Sequence, residues 1–183
     1  MRIISIDPSY TSRGIVLYDT DLKEFLVKKT IKFSSLSQLK EKEKALFINI
    51  EQNKENWYNI RLNVIHHFIK DLQSVYNYDV VLCEQQFSSV TSDIFAVCRL
   101  APFSKSGSIA QFKCYYPNSW RKILFGKGNI GKKEVCKKIT KEKVESYFQD
   151  IKFNSQDEID CVAFICTFLK ENDLLDKKEH FLI

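Results

Sequence analysis

The length, composition and charge of the chain exclude several classes of protein. Its 183 residues are 44% hydrophobic and 28% charged, as in a soluble globular protein that buries a core without cross-links, and the net charge is only +5. Because the longest apolar run, CVAFICTFL, is about half the length of a membrane-spanning helix, and because Asp7 interrupts any secretory signal, we expect one soluble domain over residues 1–183 that contacts no membrane.

The first part of the chain predicts three strands of one sheet. Residues 2–7 form an apolar strand that runs into a turn at Pro8, residues 14–18 pair back on it as a hairpin, and residues 25–33 are rich in β-forming residues. The polar stretch that follows, SSLSQLKEKEK, predicts a loop that leads into a short exposed helix.

A helix and a buried strand are predicted next. Apolar residues recur at every third or fourth position from Trp57 to Val75, which indicates a helix with Asn56 as its N-cap. We interpret His66 and His67, which lie on this helix, as surface or edge residues. The segment YDVVLCEQQF then indicates a continuously apolar strand, of the kind that is buried on both faces of a mixed sheet.

The rest of the chain alternates helix and strand. Residues 91–101 indicate a helix that Pro102 interrupts, residues 111–116 a strand that Pro117 stops, and Ser119 the start of a helical turn. The segment GKGNIGKKEVCKKITKEKVESYF indicates a glycine-containing loop and a basic helix, and QDEIDCVAFICTFL an amphipathic helix. This order of elements predicts an α/β fold, a mixed sheet with helices on both faces.

The cysteines indicate the redox environment. The six are scattered without a C-x-x-C pair, so we expect no zinc site and no disulfide framework. Most lie in apolar runs, which predicts buried reduced thiols. We therefore expect an intracellular reducing compartment, whether the cytoplasm, an organelle or a viral replication site.

Four carboxylates stand at the ends of predicted elements. Asp7 and Glu84 each end a short apolar strand, and the last helix begins with Asp157 and Asp160 on one helical face. Ordinary explanations exist, since Asp before Pro starts turns and acids in a first helical turn complement the helix dipole. Asp160, however, flanks the buried stripe, where a carboxylate needs a partner or a metal. Converging carboxylates would suit paired Mg²⁺ or Mn²⁺ ions that catalyse phosphodiester displacement.

Three motifs in this order resemble a known family. IDPSYTSRG, LCEQQF and DEIDCVAF are similar to the acidic motifs of the RuvC-type Holliday-junction resolvases, which are crossover junction endodeoxyribonucleases of the retroviral-integrase superfamily. The resemblance spans nearly the whole chain. It implies a ribonuclease H-like α/β fold, with a five-stranded mixed sheet of three antiparallel and then two parallel strands, flanked by helices on both faces.

The resemblance also implies a set of site residues. Asp7, Glu84, Asp157 and Asp160 match the catalytic ligands of the family, which hold two Mg²⁺ (or Mn²⁺) ions in each active site. Glu158 is a competing ligand that we rank below both aspartates.

Other positions match the family less directly. Phe87 matches an aromatic residue that meets bases near the crossover, although core packing explains it equally well. Two positions depart from the family pattern, since Ser9 replaces a usual glycine and Arg13 a small hydroxyl residue. These departures concern the geometry of the turn and leave the carboxylate before it in place.

A basic segment precedes the last helix. Residues 121–143 hold nine basic residues against two glutamates, a net charge of +7. A charge run is usually a solvated helix face, but this concentration favours a polyanion, and we expect DNA contacts at Arg121, Lys122, Lys127, Lys132, Lys133 and Lys137. The resemblance places one residue of the pair Arg121 and Lys122 near the scissile phosphate. It also places one of Lys132 and Lys133 there, in a catalytic role. GKGNIGKK lacks P-loop spacing, so we expect no nucleotide cofactor.

The resemblance implies an Mg²⁺-dependent DNA endonuclease. We expect it to resolve four-way junctions by paired hydrolysis that leaves 5′-phosphate and 3′-hydroxyl nicks, as a homodimer with residues 91–110 at its interface. Two alternatives remain open. One is a ribonuclease H-like nuclease that acts on flap or branched DNA in phage or viral genome processing. The other is a catalytically inert junction-binding protein.

Overall fold

The computed structural model describes residues 1–8, 12–32, 54–85, 89–100 and 111–183. Within these residues the strands are β1 (Arg2–Asp7), β2 (Ser12–Asp19), β3 (Glu24–Lys32), β4 (Val80–Glu84) and β5 (Gln111–Tyr115). The α-helices are α1 (Lys54–Tyr76), α2 (Ser89–Leu100), α3 (Pro117–Phe125), α4 (Lys133–Tyr147) and α5 (Gln156–Glu171), followed by a 3₁₀ helix (Lys178–Phe181). All five predicted strands are present.

The strands form one mixed sheet in the order β3-β2-β1-β4-β5. β1 and β2 are antiparallel, as are β2 and β3, whereas β4 runs parallel to both β1 and β5. This arrangement confirms the expected three antiparallel and two parallel strands. Parallel neighbours need crossover connections, and α1 and α2 lie in those connections.

Helices cover both faces of the sheet. On one face, alternate strand residues such as Ile4 and Ile15 pack with α1. On the other face, the intervening residues, such as Ile3 and Val16, pack with α5. Because side chains alternate along a strand, the odd-numbered residues of β1 and the even-numbered residues of β4 face α5.

The burial of α5 corrects the prediction of an amphipathic helix. Every residue from Cys161 to Leu169 is buried, because α5 lies between the sheet and the outer helices α3 and α4. A helix that is covered on both sides has no solvent face, so its apolar residues need not follow a stripe. Among the described helices, α5 included, none is long and apolar enough to cross a membrane.

Two predicted helix starts are also wrong. Asn56 lies inside α1, which begins at Lys54, so it is not the N-cap. α3 begins at Pro117 rather than at Ser119, because the fixed φ of proline suits the first position of a helix. Proline therefore ends β5 and also starts the next helix. The SSLSQLKEKEK segment and residues 101–110 lie outside the described residues.

The cysteines lie mainly in the two cores. Five of the six are buried, Cys114 is partly buried, and all six are free thiols. The expectation of buried thiols is therefore confirmed for all but Cys114.

Candidate active site

The carboxyl ends of β1 and β4 place Asp7 and Glu84 side by side. The two strands are parallel with Ile6 beside Cys83, so the residues that follow these two meet at the same sheet edge. Both carboxylates lie on the face covered by α5, because they alternate with residues of the opposite core. The charge of Glu84 is close enough to raise the pKa of Asp7.

The start of α5 brings Asp157 and Asp160 to this edge. Gly14 lies opposite Asp7 in the β1–β2 pair, and a Cβ atom at Gly14 would lie 2.1 Å from the carbonyl oxygen of Asp157. The missing side chain thus permits the close approach of α5 to β2. The Ser12 hydroxyl, also on β2, donates a hydrogen bond to Oδ2 of Asp157.

The electrostatic environment of Asp7 is unfavourable to its ionised form. Asp7 keeps some exposed surface, but its carboxyl group lies among enough protein atoms that burial is the largest cause of its raised pKa. The charges of Asp160, Glu84 and Asp157 raise this pKa further, whereas Lys137 lowers it. The other three predicted carboxylates therefore lie close enough to Asp7 to act on its charge.

Asp160 has a similar but partly compensated environment. The pKa of Asp160 is raised to about 6, chiefly by burial and further by the charge of Asp157. The Gln156 amide opposes it by donating a hydrogen bond to Asp160 Oδ1 at 2.9 Å. The charges of Lys137 and Arg121 also lower this pKa, which places one cation of α4 and one of α3 near the acidic residues.

The chemistry of these donors fits a divalent cation. The carboxylates that raise the pKa values of Asp7 and Asp160 form a site whose repulsion a cation would relieve, and Mg²⁺ and Mn²⁺ prefer oxygen ligands of this kind. In the described parts of the chain, no three Asp, Glu, His or Cys side chains are positioned as a formed ligand group. The residues therefore match the expected metal in their chemistry, while their side chains are not arranged as ligands.

Glu158 belongs to the helix cap. Ser155 is the N-cap residue of α5, and its hydroxyl accepts a hydrogen bond from the Glu158 backbone N–H at 3.1 Å. The Glu158 carboxylate accepts hydrogen bonds from Asn154 N at 2.8 Å and Thr30 Oγ1 at 3.2 Å, and Glu158 is 1% exposed. Because these bonds hold the start of α5, they support ranking Glu158 below the two aspartates. The Ser-x-x-Glu spacing is a capping signal that the sequence contains.

Trp120 is a residue of this site that the sequence analysis did not single out. Its indole Nε1 donates a hydrogen bond to Glu84 Oε1 at 3.0 Å. A buried tryptophan needs an acceptor for its N–H, but the sequence does not indicate which acceptor. Ser12 and Gln156, which bond to Asp157 and Asp160, were missed for the same reason.

The structure separates Arg121 from Lys122. The Arg121 guanidinium lies over the Trp120 ring, with Cζ 5.0 Å from the ring centroid, and its charge acts on Asp160. Arg121 Nε is buried and has no hydrogen-bond acceptor among the described residues. Lys122 is exposed. Of this pair, Arg121 is therefore the residue near the acidic group.

The lysines of the basic segment differ in position. Lys132 precedes α4 as its N-cap residue and Lys133 is the first residue of α4, and both are exposed, as is Lys127 in the loop. Lys137, one turn further along α4, is the lysine whose charge acts on Asp7 and Asp160. The predicted DNA contact at Phe87 lies outside the described residues.

Comparison with known proteins identifies the fold through structure rather than sequence. No family model and no curated protein matches the chain. Among solved structures, Thermus thermophilus RuvC has a TM-score of 0.66 at 16% identity, over 95% of this chain and 96% of RuvC. The same RuvC in complex with a Holliday junction substrate has a TM-score of 0.66 at 14% identity, with the same coverage. The yeast mitochondrial Holliday junction resolvase Ydc2 has a TM-score of 0.55 at 10% identity, over 98% of this chain and 82% of Ydc2. Together with the strand order, these likenesses show that the chain has the RuvC-type, ribonuclease H-like fold.

Proposed function

We propose that this protein is a divalent-metal-dependent endonuclease that resolves four-way DNA junctions. The observation that carries the proposal is the meeting of Asp7, Glu84, Asp157 and Asp160 at one sheet edge, where their charges raise the pKa of Asp7. A RuvC of the same fold has been solved with a Holliday junction substrate, which supports the choice of substrate.

The carboxylates are the proposed holders of the metal. Asp7, Glu84, Asp157 and Asp160 would bind two Mg²⁺ or Mn²⁺ ions, which when bound activate water and stabilise the 3′-oxygen leaving group. The hydroxyl of Ser12 orients Asp157. The products would be a 5′-phosphate and a 3′-hydroxyl at each nick.

The basic residues have two proposed tasks. Arg121 and Lys137, whose charges reach Asp160, would contact the scissile phosphate and offset its developing charge. The exposed lysines Lys127, Lys132 and Lys133 would neutralise phosphates further along the DNA. Contacts of this kind carry no sequence information, so junction affinity should fall steeply as salt concentration rises.

Paired cleavage requires two active sites, so we propose a homodimer. α2 is the proposed interface helix. Phe95 of α2 packs inward, with its ring centroid 6.2 Å from that of Phe112 on β5. Leu100 at the end of α2 is 63% exposed and available to a second copy.

The experiment that tests this function is cleavage of a labelled synthetic four-way junction with Mg²⁺. We expect symmetric paired nicks from the unsubstituted protein. Asp7→Asn and Asp160→Asn should each lose at least about 100-fold in cleavage rate, because changing a residue that hydrogen-bonds to a metal ligand can already cause a loss of this order. Asp173→Asn is the matched control, because Asp173 is an exposed acid that pairs with Lys178. Its activity should equal that of the unsubstituted protein.

Three outcomes would contradict the proposal. Faster cleavage of flaps than of junctions would favour the branched-DNA nuclease instead. Tight junction binding without metal-stimulated cutting would indicate an inert binding protein. Full activity in Asp7→Asn would exclude Asp7 from the mechanism and contradict the proposed metal site.

A further inference from the structure

One buried tryptophan joins the acidic and basic parts of the candidate site. Trp120 is 2% exposed, and its indole N–H donates to Glu84 Oε1 at 3.0 Å. The guanidinium of Arg121 lies over the face of the same ring, 5.0 Å from its centroid. One side chain therefore contacts two residues of opposite charge.

The position of this ring is set by other aromatic residues. The Phe125 ring, also on α3, lies 5.8 Å from the Trp120 ring at an interplanar angle of 60°. The Phe164 ring of α5 lies 5.4 Å away at 76°. Edge-to-face packing of this kind is favourable and directional, so the indole cannot rotate without moving two buried rings. The core thereby fixes the direction of the N–H.

The chemistry of the donor explains why tryptophan is suited to this position. The indole N–H donates but does not accept, and it carries no charge. It can therefore hold the Glu84 carboxylate in one orientation without adding a positive charge that would compete with a cation. A phenylalanine at the same position would fill the space but leave Glu84 without this bond.

We propose that Trp120 is a positioning residue of the candidate active site, whose N–H orients Glu84 and whose ring face orients Arg121. This inference rests on the proposed nuclease function. Hydrogen bonds that orient metal ligands typically change metal affinity or activity by about 10–100-fold when they are removed. The Trp120 bond should have an effect in that range.

The first test compares Trp120→Phe with a matched control. Trp120→Phe keeps a ring in the core and removes the donor to Glu84. Tyr115→Phe removes another buried donor to a carboxylate. The Tyr115 hydroxyl donates at 2.5 Å to Glu171, which lies at the opposite end of α5 from Asp157 and Asp160. The readouts are Mn²⁺ affinity by electron paramagnetic resonance, junction affinity in EDTA, and single-turnover cleavage.

The expected pattern is specific to a positioning role. Trp120→Phe should weaken Mn²⁺ binding by about tenfold and slow cleavage, while junction affinity in EDTA changes less than cleavage does. Tyr115→Phe should leave Mn²⁺ binding and cleavage at their original values. Equal Mn²⁺ affinity in Trp120→Phe and the unsubstituted protein would overturn the inference, because a purely structural residue would give that result.

A second measurement needs no substitution at Trp120. The chain has two tryptophans, so a ¹H–¹⁵N spectrum contains two indole cross-peaks, which Trp57→Phe assigns. We expect Mg²⁺ to shift the Trp120 cross-peak. An unmoved cross-peak in a protein that cleaves junctions would overturn this inference alone. A protein that neither binds Mn²⁺ nor cleaves would overturn the proposed function instead.

Discussion

The two ends of the β1–β2 strand pair contain aspartates in opposite environments. At one end, Arg2 lies opposite Asp19 and donates from Nε to Asp19 Oδ2 at 3.0 Å. The backbone N–H groups of Asp21 and Leu22 donate to Asp19 Oδ1 at 2.9 and 3.2 Å. At the other end, Asp7 faces the carboxylates of β4 and α5.

These environments move the acidities in opposite directions. Burial acts to raise the pKa of Asp19, but the bonds from Arg2 and the backbone lower it overall. Burial and neighbouring acids raise the pKa values of Asp7 and Asp160. An acid that accepts hydrogen bonds from nearby donors stabilises the fold. Acids that are held close together despite their mutual repulsion are characteristic of functional sites. The comparison therefore separates a structural end of the strand pair, at Asp19, from the end that contains the candidate active site, at Asp7.

The largest expected effect on stability comes from Gly14→Ala, at the end that contains the candidate active site. The added methyl group would meet the Asp157 carbonyl oxygen at 2.1 Å, and a backbone atom cannot move aside alone. We expect a loss of about 3 kcal/mol in the free energy of unfolding, measured with urea. Ser5→Ala is the control. Ser5 lies on β1 and faces α5 as Gly14 does, and the substitution adds no atom. A stable Gly14→Ala variant would show that α5 does not pack against β2 here.

The next prediction concerns the sign of two neutralising substitutions. Asp19→Asn should lower the free energy of unfolding by about 1–3 kcal/mol, because it removes a charged acceptor from Arg2 and two N–H groups. Asp7→Asn should raise it by on the order of 1 kcal/mol, since it relieves the repulsion among the acids of the candidate site. Both are measured with urea at pH 7 in EDTA. Changes of the same sign would contradict the distinction between the two ends.

The smallest expected effect is a pH profile of stability in EDTA. Asp160 has a folded-state pKa of about 6 and an unfolded-state value of about 4, so the folded protein binds the extra proton between them. Its contribution to stability should therefore increase as pH falls from about 6 to about 4. Asp19 has a lowered pKa, so its contribution is complete above about pH 4 and is lost as pH falls through its folded-state pKa.

Two substitutions separate the arms of this profile. Asp160→Asn should reduce the slope of the arm between about pH 4 and 6, to which Asp7 also contributes, and Asp19→Asn should reduce the slope of the arm below about pH 4. The measurement is the urea midpoint across the pH range. A profile that Asp160→Asn leaves unchanged would show that this aspartate titrates alike in both states.

The sheet could be predicted from the sequence because its signals are local. Apolar runs, turn residues and the change from strand to helix spacing gave all five strands. Helix starts were less predictable. Asn56 has the chemistry of an N-cap, yet α1 begins before it, and Pro117 both ends a strand and begins α3. The burial of α5 could not be foreseen, because it depends on α3 and α4 lying outside it.

The site could be predicted in part. Their positions at strand ends and at a helix start predicted that four acids form the site, and the structure brings these four together. They are Asp7, Glu84, Asp157 and Asp160. The hydrogen bond from Trp120 to Glu84 joins residues 36 positions apart and leaves no local pattern. The role of Glu158 had a local signal in the Ser-x-x-Glu spacing. Because Glu158 stands beside Asp157 and close to Asp160, the sequence analysis interpreted it as a competing metal ligand instead.

The contrast in burial between α5 and α4 has a consequence for how such a protein can diverge. α5 carries two of the acids and is enclosed over most of its length, so few of its side chains can change without disturbing their position. The lysines on the outer side of α4 face solvent, where substitutions are usually tolerated. Under the proposed function, we expect related sequences to vary in DNA affinity through α4 while the acidic residues of α5 stay constant.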